Sequence, residues 1–376
     1  MSALSPEQRQ LLLDGPAGRP PPGQVSNLED PPDLYIVGLW TLLVLWILCS
    51  LCFLIRLYTK VFIIRRIDIS DCSMFLAWGI FMGYCATAWL FNEAAPGIDQ
   101  WNMRLRNFIS LLYYFHVGAI MYGIIIFFIK ASILLQFLEI FPHQGRYFFW
   151  TCHTLIWVNC LFYAISTFLE IFACRPLSKA WDVLMTDGFC PVDTELLNVI
   201  ASSINALSDL VILVLPQTRI WRLNMAFRKK IAVSAVFLFG IVACTASIVR
   251  LAYAVLLLTT HNISYFGYMA GLWTLPEIAC GIIAGSLPAT PKFFRGLLHT
   301  VLESKWGSSM QNLISGSLRN PRSATGVIVE GSPALPTVAD KNQHRKALDQ
   351  YPLTSFASFP GAECSVVSVA LQESPQ

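Results

Sequence analysis

Charge is what this sequence has little of. Asp, Glu, Lys and Arg make up 13% of its 376 residues, about half the roughly 25% usual in soluble domains. The 26 basic and 23 acidic residues nearly cancel, at a formal +3, so the basic footprint of a nucleic-acid binder is absent. The first 33 residues carry GPAGRPPPG and five acidic residues but no apolar h-region, which excludes a cleavable signal peptide. No hydrolytic nucleophile motif, phosphate loop or metal-ligand cluster occurs, and His116, His143 and His153 are too scattered for a metal site. The expectation is a protein without metal or cofactor, and not an enzyme.

What is present is long apolar runs, with 55% of all residues apolar and a mean hydropathy of +0.56. A helix crossing a hydrocarbon core of about 30 Å needs roughly 20 mostly apolar residues. Seven segments qualify: 35–55, 72–91, 107–129, 147–169, 196–215, 231–249 and 265–287. Their runs are continuous rather than alternating in polarity, so they read as helices and not barrel strands. Drawn with these limits, only Asp209 and Glu277 place a formal charge inside a span.

Basic residues outside the spans set the orientation. The segments after spans one, three and five, with the C-terminal tail, carry 19 Lys and Arg, against seven in the N-terminus and the other loops. The fold class expected is an all-α membrane protein, a seven-transmembrane helix bundle with the N-terminus outside and the C-terminus cytoplasmic. Residues 1–33 form a polar extracellular head, and span one acts as an uncleaved anchor. The plasma membrane is favoured over an internal one.

Most of the 11 cysteines lie in spans as small apolar fillers, but Cys174 and Cys190 fall in the loop after span four. On the outside face that setting is oxidising and suits a disulfide; two free thiols or a bridge to another loop are the alternatives. Asn262-Ile-Ser264 is a glycosylation sequon in a predicted outside loop. Residues 291–306 place Phe293, Phe294, Leu297, Leu298 and Val301 at helical spacing, as expected of an amphipathic juxtamembrane helix. From 307 to 376 the chain is rich in Ser, Pro and Gly, and reads as a disordered cytoplasmic tail.

Ionisable groups inside a membrane are costly, and they mark functional hypotheses by default. Asn198, Ser202, Asn205 and Asp209 follow spacings of four, three and four, giving span five one polar edge. His116, Gly123 and Lys130 recur every seven residues on span three, and Lys130, near the cytoplasmic end, either snorkels to the interface or reaches Asp209. Glu277 follows Pro276, which removes a backbone hydrogen bond and offers a kink beside a buried carboxyl. Asp209, Glu277, Asn205, His116 and Lys130 are therefore the candidate interior ligand or signalling site. The competing reading is a helix–helix clasp.

Several stretches resemble the fungal rhodopsin-domain integral membrane proteins, a family that includes Pth11-like receptor-like proteins and membrane proteins of satratoxin-type clusters. They are KASILLQFLEIF from Lys130, FACRPLSKAW…GFC from Phe172, and SDLVILVLP from Ser208 with WRLNMAFRKKIAV after it. FLFGIVACTASIVR ending at Arg250 and PEIACGIIAGSLPATP around Glu277 complete the set. The resemblance spans about 34–291. Ser70-Asp71 stands where the family often has paired aspartates, and Pro96-Gly97-Ile98-Asp99 replaces a Gly-x-Gly-x-His-like stretch. A retinal Schiff base needs a lysine in the bundle, normally in span seven, which has none; Lys292 lies beyond it. Light sensing by retinal is therefore not expected. Neither an acidic-Arg-aromatic triplet after span three nor Asn-Pro-x-x-Tyr in span seven is present.

The polar interior edges and the long tail point to a receptor-like protein of the lipid membrane that binds a small-molecule ligand. A cytoplasmic signalling partner would meet the tail and the basic segment carrying Arg219, Arg222, Arg228, Lys229 and Lys230. The alternative, implied by the resemblance and by no residue spacing, is an accessory membrane protein of a secondary-metabolite cluster, for example one of trichothecene or satratoxin type. A membrane-embedded cyclase using Asp209 and Glu277, or a transporter, comes third.

Overall fold

A computed structural model describes residues 6–140, 146–220, 227–260 and 262–303, without the side chains at 218–220, 227–233 and 297–303. The helices are α1 (Pro6–Asp14), α2 (Tyr35–Tyr58), α3 (Ile69–Ala94), α4 (Leu105–Ile140), α5 (Arg146–Ile171), α6 (Thr194–Ile220), α7 (Phe227–Thr259), α8 (Ile263–Ser286) and α9 (Thr290–Glu303). Seven of them, α2 to α8, are long and apolar enough to cross a membrane. No strand is present among the described residues; two isolated bridges, Pro16 with Arg104 and Arg175 with Phe189, pin loops instead.

The helices outrun the apolar segments that announce them. α4 has 36 residues, a length of about 54 Å at 1.5 Å per residue. A span drawn from uncharged residues stops at the first charge, whereas a helix continues where that charge finds a partner. Arg56, Asp71, Lys130 and Arg250 each sit one residue beyond a predicted span limit, and all four are buried in the bundle. The expectation of only two charges inside spans is corrected accordingly.

α8 runs through the centre, packed against α7, α2 and α4. Of its most apolar window 72% is buried, against 11% for α5. Small residues permit the close approach: a Cβ on Gly281 would lie 2.7 Å from Ile129, and one on Gly285 would overlap Met74. Both Pro216 and Pro276 lie within continuous helices.

The segment before α2 is more than a polar head. α1 and the residues after it lie across the end of the bundle at which the chain enters α2. Ala17 N donates to Met103 O at 2.8 Å and Leu105 N to Gly15 O at 2.9 Å. Arg106 pairs with Asp14 at 3.1 Å and Arg9 with Asp182 at 3.3 Å. Cys174 and Cys190 form a disulfide at this same end. At the opposite end, α9 packs on the residues just after α2, with Phe293 edge-on to Tyr58. The tail from 307, His143 and the side chains of Arg219, Arg222, Arg228, Lys229 and Lys230 lie outside the described residues.

Candidate functional site

The polar edge of α6 carries the site. Ser202 and Asn205 are fully buried, and the Asp209 side chain is 14% exposed. Facing them are Lys130 and Tyr122 from α4, Tyr163 from α5, Ser247 and Arg250 from α7, and Glu277 from α8.

Lys130 Nζ lies 2.8 Å from Asp209 Oδ1, the contact anticipated from the sequence. It also donates to Asn205 Oδ1 at 2.8 Å, Ser208 Oγ at 3.1 Å and Tyr163 OH at 3.2 Å. Each nitrogen of the Arg250 guanidinium has a partner: Nε donates to Glu277 Oε2 at 3.0 Å, Nη1 to Ser202 Oγ at 2.8 Å, and Nη2 to Tyr122 OH at 2.7 Å. Tyr122 OH in turn donates to Glu277 Oε1 at 2.8 Å. Asn205 joins the two ion pairs, its Nδ2 reaching Glu277 Oε1 at 2.6 Å, Ser247 Oγ at 2.7 Å and Asp209 Oδ2 at 3.2 Å.

A buried charge costs several kcal/mol of desolvation unless it is paired and its remaining hydrogen-bonding positions are filled. Here two acids and two bases cancel, and neutral Asn, Ser and Tyr groups complete the shell. Removing one member strands its partner, so the four charges hold α4, α6, α7 and α8 as one unit.

Beside this network lies a partly open cavity of about 100 Å³. Tyr122 and Arg250 belong to both; Tyr84, Phe91, Phe115 and Tyr268 supply much of the aromatic wall. Asn92 and Tyr268 bond to each other at 2.7 Å at the end where α2 begins. Gly38 is required there, since a Cβ would overlap both of those groups.

A second ionic cluster closes the opposite end. Arg56 holds Asp71 through Nε at 3.1 Å and donates to the Gly285 carbonyl. Lys60 pairs with Asp71 at 2.7 Å and with Asp68 at 3.1 Å. Asp68 and Asp71 also form the capping box of α3. Ser70 donates to Glu139 at 2.7 Å and accepts through its carbonyl from Ser132 at 2.6 Å.

Of the five interior candidates, the structure brings together Lys130, Asn205, Asp209 and Glu277, and leaves His116 apart. His116 and Lys130 share a helical face but stand 14 residues apart, about 21 Å along the axis. His116 Nδ1 lies 3.3 Å from Glu170, and its buried Nε2 has no partner. Arg250, Tyr122 and Tyr163 were missed. The arginine ended a motif just past the drawn limit, and tyrosines in apolar helices carry no distinguishing signal. Asn262 caps α8: its Nδ2 donates to Asp99 at 2.7 Å, the nitrogen a glycan would occupy. No group of three or more His, Cys, Asp or Glu suited to a metal occurs among the described residues.

Seven membrane-length helices around paired interior charges define a multi-pass integral membrane protein. The profile of the fungal rhodopsin domain matches residues 55–296, and the chain belongs to that family. It is 28% identical to "Fugralins biosynthesis cluster protein 2" of Gibberella zeae over 334 residues, covering 88% of this chain and 78% of that one. It is 41% identical to a "SAT4 family membrane protein" of Emericella nidulans over 192 residues, 51% of this chain and 47% of the other. A 111-residue stretch is 28% identical to "Polyenoic acids biosynthesis gene cluster protein Ba17b" of Metarhizium anisopliae, covering 30% of each. No solved structure matches.

Proposed function

We propose that the protein is a receptor-like membrane protein that binds a small molecule in the cavity beside Tyr122 and Arg250. The observation that carries this reading is the sharing of those two residues between cavity and ionic network. An occupant that moved Tyr122 would disturb bonds reaching α7 and α8 through Arg250 and Glu277. In this reading the N-terminus is outside and the tail cytoplasmic, at the plasma membrane. The excess of basic residues on one side, 19 against seven, supports that orientation. Burial of Arg56, Lys130 and Arg250 removes two from the first group and one from the second, and leaves the asymmetry in place. An N-terminal epitope accessible on intact cells tests it. The basic segment around Arg228 and the tail would meet a cytoplasmic partner.

The printed names of two relatives favour a second reading, an accessory role in a secondary-metabolite cluster. The two readings converge if the sensed molecule belongs to the pathway served. Catalysis by Asp209 and Glu277 is disfavoured because each carboxylate is held by a cation. Retinal attachment at Lys130 is disfavoured likewise, since its amine is surrounded by oxygen partners.

The test is complementation of a deletion strain with wild type or Gly118→Leu. A Cβ at Gly118 meets Tyr84 at an ordinary 3.7 Å, so a larger side chain fills the cavity without displacing backbone. Wild type is expected to restore the metabolite profile and Gly118→Leu to fail at equal membrane abundance. Full restoration by the filled variant would overturn the cavity reading. A deletion strain with an unaltered profile would overturn the accessory reading.

A further inference from the structure

The polar groups around the cavity are unequally engaged, and that inequality bears on what the cavity admits. Arg250 and Tyr122 are committed to Glu277 and to each other. Asn92 and Tyr268 are bonded together, while Thr87 and Thr274 return their hydroxyls to helix carbonyls. Tyr114 and Asn198 also line the cavity, and their side chains make no hydrogen bond among the described residues.

We propose that the cavity takes a neutral, ring-sized apolar group carrying one hydrogen-bonding oxygen, anchored by Tyr114 and Asn198. The inference rests on the cavity being the binding site proposed above. Size sets the first limit. The volume of about 100 Å³ is somewhat below the roughly 150 Å³ of an engineered apolar cavity that admits benzene. One ring or a short branched chain fits, and a larger ligand would insert one end. The wall of Tyr84, Phe91, Phe115 and Tyr268 favours a flat, polarisable group, because aromatic pairs gain from edge and offset contacts.

Charge sets the second limit. Arg250 is the formally charged side chain in the lining, and each of its three nitrogens already has a partner. A carboxylate would compete with Glu277 for a cation that is already neutralised, and an ammonium would meet no free acid. Either would be desolvated without compensation. The hydroxyl of Tyr114 and the amide of Asn198 can each donate to a carbonyl, ether or hydroxyl oxygen. Asn198 is the first residue of the same polar edge that continues through Ser202 and Asn205 to Asp209, so an anchored ligand would touch that edge directly.

The test uses the full chain in phosphatidylcholine nanodiscs with toluene, methyl benzoate, benzoate and benzylammonium as probes. Ligand-dependent shifts of the thermal unfolding midpoint are compared between wild type and Gly118→Leu, which subtracts partition into lipid. Gly271→Leu, whose Cβ meets Phe91 at 3.5 Å, serves if the first variant does not fold. Methyl benzoate is expected to give a shift that the filled variants lose, and the two ions none. Tyr114→Phe and Asn198→Leu should each weaken methyl benzoate by about five-fold, the scale of one hydrogen bond, and leave toluene unchanged. A fill-sensitive shift with benzoate or benzylammonium as large as that with methyl benzoate would overturn the neutral class while leaving the cavity reading standing. Equal weakening of toluene and methyl benzoate would overturn the anchor. No fill-sensitive shift from any of the four probes would overturn the cavity reading and this inference together.

Discussion

Around Asn205, two acids and two bases meet in the middle of the bundle, every one largely buried and every one bonded to neutral partners as well as to an ion. Around Asp71 the charges are graded: Arg56 and Asp71 are buried, the Lys60 and Asp68 side chains are 13% and 25% exposed, and Arg66 at the rim is 80% exposed. The difference is one of redundancy. Asp71 loses one cation and keeps another, whereas Asp209 and Glu277 each have one. The central network therefore behaves as all or none, and the end cluster gives way in steps.

The largest effect should come from Lys130→Met, which strands Asp209 and takes donors from Asn205, Ser208 and Tyr163. The expected loss is about 3–5 kcal/mol, seen as little folded protein in detergent extracts, with most recovered on adding Asp209→Leu. Arg56→Met should cost less, about 1–3 kcal/mol, because Lys60 still holds Asp71. An equal or larger loss at Arg56 would erase the contrast. Asn262→Ala, outside both clusters, is expected to lower stability by about 1 kcal/mol through loss of the helix cap. The same bond to Asp99 predicts that endoglycosidase leaves the wild-type gel mobility unchanged. The smallest effect should be that of Arg66→Ala, within about 1 kcal/mol of wild type by unfolding midpoint.

Much of this arrangement was legible in the sequence, and the missing part has a common cause. The apolar runs gave the seven helices, and the polar edge of α6 with Lys130 gave half of the central network. Arg56, Asp71 and Arg250 escaped because the rule that finds a span ends it at a charge, and each stands one residue past such an end. His116 was grouped with Lys130 because periodicity reports the face of a helix and not the depth along it. The folded segment before α2 gave no signal either: its hold on the bundle combines backbone bonds to Met103 and Leu105 with the long-range pairs Arg106–Asp14 and Arg9–Asp182, which no local side-chain pattern announces. The cavity depends on how α2, α3, α4, α6, α7 and α8 approach one another, information that pairwise spacing within a single helix does not contain.

The pairing of Arg250 with Glu277 is the centre of the account, since it joins the cavity to the rest of the network. Its direct test is the unfolding midpoint of Arg250→Met, Glu277→Leu and the double variant, measured side by side in one detergent. Each single change should lower the midpoint sharply by leaving an unpaired buried charge, and the double should regain most of the loss. Losses that simply add in the double variant would show that the two residues act independently, and would contradict the account.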